Sequence, residues 1–181
     1  KIETGIKNVA LSCFKAYDIR GRVPDELNTD VAYRIGRAFA AKILPKKVVV
    51  GHDIRLSSPE ICDALIEGLR DSGVDVFHIG ECGTEEIYFA TSHFKMDGGI
   101  VVTASHNPKD YNGMKLVRED SRPISGDTGL KEIEQLVETA DFGEPMQPGE
   151  LTTLDHRSAY IQQLLSYVDL PNLKPLKIVV N

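Results

Sequence analysis

The sequence predicts an α/β fold with helices layered on a sheet, and three observations carry that expectation. Short β-branched runs bounded by glycine alternate with longer amphipathic segments, the order expected of strands and their covering helices. The runs are largely apolar, as in strands buried on both faces. Several amphipathic segments also carry their own start and stop signals.

Taken in order, residues 30–43 place Val31, Ile35, Ala38 and Phe39 on one helical stripe, and Pro45 stops the helix just beyond. Lys47-Val48-Val49-Val50-Gly51 reads as the first buried strand. Ser58 reads as the N-cap of a second helix with Pro59 at its first position, Ile61, Leu65 and Leu69 on its buried face, and Gly73 free to take the left-handed closing conformation. A strand over residues 74–80 follows. Thr84 is expected to cap a helix over 85–94, whose two first-turn glutamates complement the positive end of the helix dipole. Gly98-Gly99-Ile100-Val101-Val102-Thr103 is a further strand, Met114-Lys115-Leu116-Val117 another, and Leu130, Ile133, Leu136 and Val137 mark a helix after Asp127.

Composition changes over the Gly- and Pro-rich stretch 142–149, which is read as a boundary between a domain over 1–150 and the start of a second over 151–181. Beyond it come one helix, roughly 155–168, and a strand-like run, Leu176-Lys177-Ile178-Val179-Val180. One helix and one strand cannot make a core, so the expectation is a truncated second α/β unit.

Bulk properties exclude several function classes. The chain has no run of eighteen apolar residues, and its start, Lys1-Ile2-Glu3-Thr4-Gly5, lacks the basic-then-apolar layout of a secretory signal; a cytoplasmic protein without membrane contact is the expectation. Cys13, Cys62 and Cys82 are odd in number, widely spaced and embedded among apolar residues, which reads as buried thiols rather than a disulfide framework or a zinc site. With 21 Lys and Arg against 27 Asp and Glu, the net charge of −6 disfavours nucleic-acid binding. An anionic substrate would need local cations.

The chemically dense segment is Thr103-Ala104-Ser105-His106-Asn107-Pro108-Lys109-Asp110-Tyr111-Asn112-Gly113-Met114-Lys115. It follows a buried strand, where α/β folds place ligand-binding loops. Asn107-Pro108 and Asn112-Gly113 are turn dipeptides, so the chain is expected to reverse between Ser105 and Lys115. Taken singly, Ser105 reads as a turn opener, His106 as a surface histidine and Lys115 as a solvated strand residue. Their convergence is what a generic turn does not explain. A hydrolase serine competes, but no Gly-x-Ser-x-Gly elbow is present, and a histidine adjacent in sequence is not the spatially assembled base of a triad.

Thr103-Ala104-Ser105-His106-Asn107-Pro108 resembles the phosphoserine loop of the α-D-phosphohexomutases, the phosphomannomutase/phosphoglucomutase group. Phe14-Lys15-Ala16-Tyr17-Asp18-Ile19-Arg20-Gly21 resembles the N-terminal motif of that family, and Gly51-His52-Asp53-Ile54-Arg55 its Asp-x-Arg strand end. The segments 83–91 and 112–118 are most similar to the bacterial phosphomannomutase branch, which supplies GDP-mannose.

The resemblance implies a layered α/β/α domain with a mixed sheet sandwiched between helices. It implies an enzyme that interconverts mannose 6-phosphate and mannose 1-phosphate by phosphoryl transfer through a phosphoserine and a hexose 1,6-bisphosphate, which also serves as activator. Ser105 would carry the phosphoryl group, Lys115 would neutralise charge or move a proton, and His106 would orient a hydroxyl or relay its proton. Tyr17 and Arg20 would bind the hexose phosphate, Arg20 through its planar fork. The bland reading of Tyr17-Asp18-Ile19-Arg20 is an edge strand with an ion pair. Asp53 and Arg55 are expected to form a local salt bridge that holds the strand end, outside the site.

A Mg2+ ion would be bound by an oxygen of the Ser105 phosphate, its other ligands coming from an Asp-Gly-Asp-x-Asp loop that this sequence lacks. The chain alone is therefore expected to be inactive. Competing readings are a phosphoglucomutase or dual-specificity mutase, a non-catalytic phosphosugar-binding module, and a phosphatase that releases phosphate from Ser105 or uses a metal-bound water.

Overall fold

A computed structural model describes residues 11–180. The start of the chain, on which the absence of a secretory layout was read, lies outside the described residues. Six strands form one mixed sheet: β1 (Ile19–Arg22), β2 (Lys47–His52), β3 (Asp75–Glu81), β4 (Gly98–Val102), β5 (Tyr111–Arg118) and β6 (Leu151–Thr153). Their order across the sheet is β1-β5-β4-β2-β3-β6. Strands β4, β2, β3 and β6 run parallel, whereas β5 and β1 are antiparallel to their neighbours.

Alternation along the strands sends side chains into two separate cores, as the period of two requires. Val48 and Val50 of β2, Ile100 and Val102 of β4, and Met114 and Leu116 of β5 join the larger core. That core packs under α1 (Thr29–Ile43), α2 (Ser58–Arg70) and α4 (Lys131–Thr139). Val49 and Val101 point the other way and meet Ile87 and Ala90 of α3 (Thr84–His93). The expected α/β/α layering with a mixed sheet is therefore what the chain adopts. The three cysteines are buried free thiols, as expected. Burial pushes Cys13 up to about 11 and Cys82 up to about 12, so both stay neutral and act as small hydrophobes.

Local signals differ from the expectation at several element ends. The residue preceding α2 is Ser57, not Ser58, and neither caps by its side chain; Ser58 is buried and donates instead to Asp53. Gly83 rather than Thr84 precedes α3, and Glu86 reaches back to accept from the Gly83 N–H at 2.6 Å. Asn112-Gly113 is not a turn. Both residues lie within β5, where buried Asn112 donates to the Ser57 and Ser58 hydroxyls at 2.9 Å each.

The Gly- and Pro-rich stretch 142–149 does not end the first sheet. Buried Arg37 on α1 donates to the Gly143 carbonyl at 2.8 Å, and Arg70 on α2 donates to the Gly149 carbonyl at 2.9 Å, tying the stretch across the helical layer. It then delivers β6 to the free edge of β3, in register Val76 to Leu151 and His78 to Thr153. Residues 151–153, assigned from sequence to a second unit, thus complete the first sheet. After β6, buried His156 meets Glu86 at 2.8 Å and leads into α5 (Arg157–Leu165), which has no buried residue. The run 176–180, expected as a strand, has no ladder partner among the described residues, and its apolar side chains are exposed. A strand without a neighbour has no hydrogen bonds to define it. Among the described residues, no helix is long and apolar enough to cross a membrane.

Two predictions follow from the packing. Gly36 and Gly68 let α1 and α2 approach so closely that a Cβ on Gly68 would overlap the Tyr33 carbonyl, and one on Gly36 the Leu65 carbonyl. Gly68→Ala should therefore destabilise by about 1–3 kcal/mol in urea denaturation. The sign is opposite to the gain of about 1 kcal/mol at an exposed helical glycine. The second concerns His78, held below the ordinary histidine value of 6.5 by burial and then by His52, whose ring lies 5.9 Å away. The unfolded chain then takes up the proton first as pH falls, so stability is full above about pH 6.5 and is lost below it until the folded imidazole also titrates. His78→Gln should flatten this part of the stability profile between neutral pH and about pH 5.

Candidate active site

Parallel strands β2 and β4 end side by side, linked where the Asp53 N–H donates to the Val102 carbonyl at 2.9 Å. The chain leaves β4 at Thr103, loops out through residues 104–110 and returns as β5. Ser105 lies on the exposed outer turn with a φ of +53°, in the left-handed region. For a residue with a Cβ this conformation is uncommon and costs on the order of 1–3 kcal/mol, so it persists only where neighbours over-determine it.

The neighbours that do so come from the end of β2. The Arg55 guanidinium donates through Nη2 to the carbonyls of Ser105 (2.8 Å) and Asn107 (2.7 Å). Through Nη1 it donates to those of Pro108 (2.7 Å) and Tyr111 (3.0 Å). Four loop carbonyls thus converge on one planar fork. The Ser105 N–H donates to the Thr103 hydroxyl at 3.0 Å, and that hydroxyl donates to Asp53 Oδ2 at 2.8 Å. Asp53 also lies 3.3 Å from Arg55 Nε and accepts from the Ser58 hydroxyl through Oδ1 at 2.5 Å.

The expected salt bridge between Asp53 and Arg55 is present, but the pair does more than hold the strand end. It grips the loop. Sequence reading left both residues outside the site because Asp-x-Arg satisfies itself locally. The available signal was an arginine just after a strand end, with more donors than one carboxylate can use.

The cations approach from the other side of the loop. In the antiparallel ladders Arg20 of β1 pairs with Gly113, and Lys115 lies two residues further along β5, so both side chains leave the same sheet face. Arg20 donates through Nη1 to Asn107 Oδ1 and through Nη2 to Asp18 Oδ2, each at 2.6 Å. Lys115 Nζ lies 3.4 Å from the same Asp18 oxygen. Two cations therefore share one carboxylate, leaving net positive charge beside the loop, and Arg20 Nε is buried with no hydrogen-bond partner among the described residues. The edge strand and ion pair named as the bland reading of this motif both exist, and they place Arg20 against Asn107.

Of the residues singled out from sequence, Ser105 and His106 meet directly, with Oγ and Nδ1 3.3 Å apart. Arg20 joins the loop through Asn107, and Lys115 joins Arg20 through Asp18; Lys115 bonds Asp18 rather than Ser105. Tyr17 is 80% exposed next to Asp18, its ring open to solvent. Asp18, Thr103 and Asn107 are site residues the sequence reading did not single out. Among the described residues no three His, Cys, Asp or Glu side chains gather to hold a metal ion. A separate groove of about 600 Å³ between α3 and α5, lined by Tyr88, Phe89 and Tyr160 among others, contains none of these residues.

Removing the guanidinium takes one donor from each of four carbonyls, of which that of Pro108 keeps a second bond, from the Tyr111 N–H at 3.1 Å. Arg55→Ala should cost about 2–3 kcal/mol in urea denaturation and speed amide exchange across residues 105–111. Arg55→Lys should recover only part of the loss, since one ammonium cannot reproduce the fork.

Residues 12–144 match the family described as phosphoglucomutase/phosphomannomutase, alpha/beta/alpha domain I. A protein of Salmonella montevideo named phosphomannomutase is 58% identical over 174 residues, covering 94% of this chain and 38% of that protein. One of Xanthomonas campestris pv. campestris strain B100, named phosphohexose mutases, is 59% identical over 175 residues, covering 96% and 39%. A crystal structure of a phosphoglucomutase/phosphomannomutase family protein from Burkholderia thailandensis superposes with a TM-score of 0.79 at 38% identity, over 87% of this chain and 36% of that one. The chain thus spans well under half the length of these relatives. On sequence and on fold together, this chain belongs to the phosphoglucomutase/phosphomannomutase family and carries its alpha/beta/alpha domain I.

Proposed function

We propose that this chain is the phosphoryl-carrying part of a cytoplasmic phosphomannomutase that interconverts mannose 6-phosphate and mannose 1-phosphate through a hexose 1,6-bisphosphate. The observation that carries the proposal is the placement of an exposed, conformationally fixed Ser105 in contact with His106, with two cations on the strands alongside. Several relatives named phosphomannomutase share more than half of their aligned residues with the chain, which supports mannose phosphates as substrates.

In the forward half-reaction the bond between phosphorus and Ser105 Oγ breaks as a sugar hydroxyl oxygen bonds to the same phosphorus. The hydroxyl loses its proton, and Oγ gains one. His106, 3.3 Å from Oγ, is placed to supply or hold the proton at that atom. A phosphate on Ser105 adds a charge of about −1.5 to −2, and Lys115 and Arg20 are the cations placed to balance it. Arg20 and Tyr17 would bind the sugar phosphate, one through its fork and the other through its hydroxyl. The reverse half-reaction returns a phosphoryl group from the other end of the bisphosphate.

Mg2+, which supplies charge neutralisation at a transferring phosphoryl group, would receive one ligand from this chain, an oxygen of the Ser105 phosphate, and the others from the rest of a longer protein. The unit beginning after β6 with His156 and α5 is read as the start of a second domain, the boundary lying beyond the completed sheet instead of at residue 150.

Four outcomes test this reading, three in the full-length protein and one in this chain alone. Incubation with hexose 1,6-bisphosphate should label Ser105, and Ser105→Ala should reduce turnover to below about a thousandth of wild type. Lys115→Met should lower kcat by about 10²-fold. Purified residues 1–181 should show no conversion of hexose 1-phosphate to hexose 6-phosphate; normal rates from that chain alone would contradict the proposal.

A further inference from the structure

We infer that Thr103 and Asp53 are positioning residues for phosphoryl transfer at Ser105, a role that rests on the phosphoryl-carrier reading above. The Thr103 side chain has an unusual place. It is the last buried residue but one before the loop emerges, and its single hydroxyl works in both directions, accepting from the Ser105 N–H at 3.0 Å and donating to Asp53 Oδ2 at 2.8 Å. Asp53 cannot swing away, because its other oxygen accepts from the Ser58 hydroxyl at 2.5 Å and from the Arg55 N–H at 3.1 Å. A negative charge on Asp53 polarises the Thr103 hydroxyl and strengthens it as an acceptor.

The result is that both backbone polar groups of Ser105 are taken. Its N–H goes to Thr103 and its carbonyl to Arg55 Nη2 at 2.8 Å. This has a chemical consequence for a phosphoserine. A free backbone N–H beside the phosphate would be a donor to its oxygens and would hold the group against its own residue. With the amide committed to Thr103, the phosphate oxygens remain free for cations and for the sugar, and the group stays transferable. The same two bonds keep Ser105 left-handed, so that Oγ is presented at one place and one angle to its acceptor.

The test uses the full-length protein and four forms: wild type, Thr103→Val, Thr103→Ser and Asp53→Asn. Two readouts are taken, single-turnover transfer from labelled hexose 1,6-bisphosphate to Ser105 together with steady-state kcat and KM, and hydrogen exchange at the Ser105 amide. Thr103→Val keeps the shape and removes the hydroxyl. It should slow transfer and lower kcat about 10-fold or more, with KM for the sugar phosphate within about twofold of wild type and faster exchange at Ser105. Thr103→Ser should restore both readouts, and Asp53→Asn should fall between, which keeps the inference testable if Thr103→Val fails to fold.

Transfer by Thr103→Val within about twofold of wild type, or equal impairment of Thr103→Ser and Thr103→Val, would overturn the inference. Unchanged Ser105 protection in Thr103→Val would overturn it as well. The two readings fail separately: a wild type that never acquires label at Ser105 removes the phosphoryl carrier, whereas a labelled wild type matched by Thr103→Val removes only the positioning role.

Discussion

The grip of Arg55 on four backbone carbonyls is the interaction on which the site depends. A loop that leaves a buried parallel strand and returns as an antiparallel one must turn its carbonyls somewhere. Here four of them, those of Ser105, Asn107, Pro108 and Tyr111, turn inward toward Arg55. Few side chains can serve four acceptors at once, and a guanidinium does so in a plane with fixed angles. Its charge is balanced internally by Asp53 at 3.3 Å, so the clamp adds little net charge to the reactive face. That face keeps its own cations, Arg20 and Lys115, on a different pair of strands. Shape and charge are thus assigned to separate residues.

The sheet topology makes that separation possible. Parallel pairing of β2 with β4 brings the Asp53-Ile54-Arg55 strand end beside Thr103, while antiparallel pairing of β5 with β4 and β1 carries Lys115 and Arg20 to the other flank of the loop. Ser105 lies between the two arrangements. The backbone strain at its φ of +53° is offset by bonds from the clamp, which is how a strained residue can be kept in an exposed position. Asp18 has a related part on the cation side. It holds Arg20 and Lys115 through one oxygen and keeps two like charges near each other.

Much of this was legible in the sequence where the signal was local. Uninterrupted β-branched runs and helical stripes located β2, β3, β4 and α1 to within a residue or two, because burial on both faces leaves a dense apolar pattern. The segment 103–115 pointed to Ser105, His106 and Lys115 by a different local signal, polar functional groups crowded just after an apolar strand. What could not be read were choices settled by tertiary partners. Asn112-Gly113 has turn chemistry, yet β5 takes it because the buried Asn112 amide is satisfied by Ser57 and Ser58, residues more than fifty positions away. Strand β6 has three exposed residues and no apolar signal of its own, and only the open edge of β3 makes it a strand. Arg55 looked like half of a local salt bridge, since nothing in its neighbourhood announces four carbonyls arriving from residues 105–111.

The Asp53 and Arg55 clamp sets the left-handed conformation of Ser105 and maintains it in the reacting protein. The most direct measurement is a crystal structure of the full-length protein with Ser105 phosphorylated. Ser105 should keep its positive φ, with Arg55 on the carbonyls of Ser105, Asn107, Pro108 and Tyr111 and the Ser105 N–H still on Thr103. A loop refolded to an extended Ser105, with Arg55 turned to solvent or bound to the phosphate itself, would contradict it.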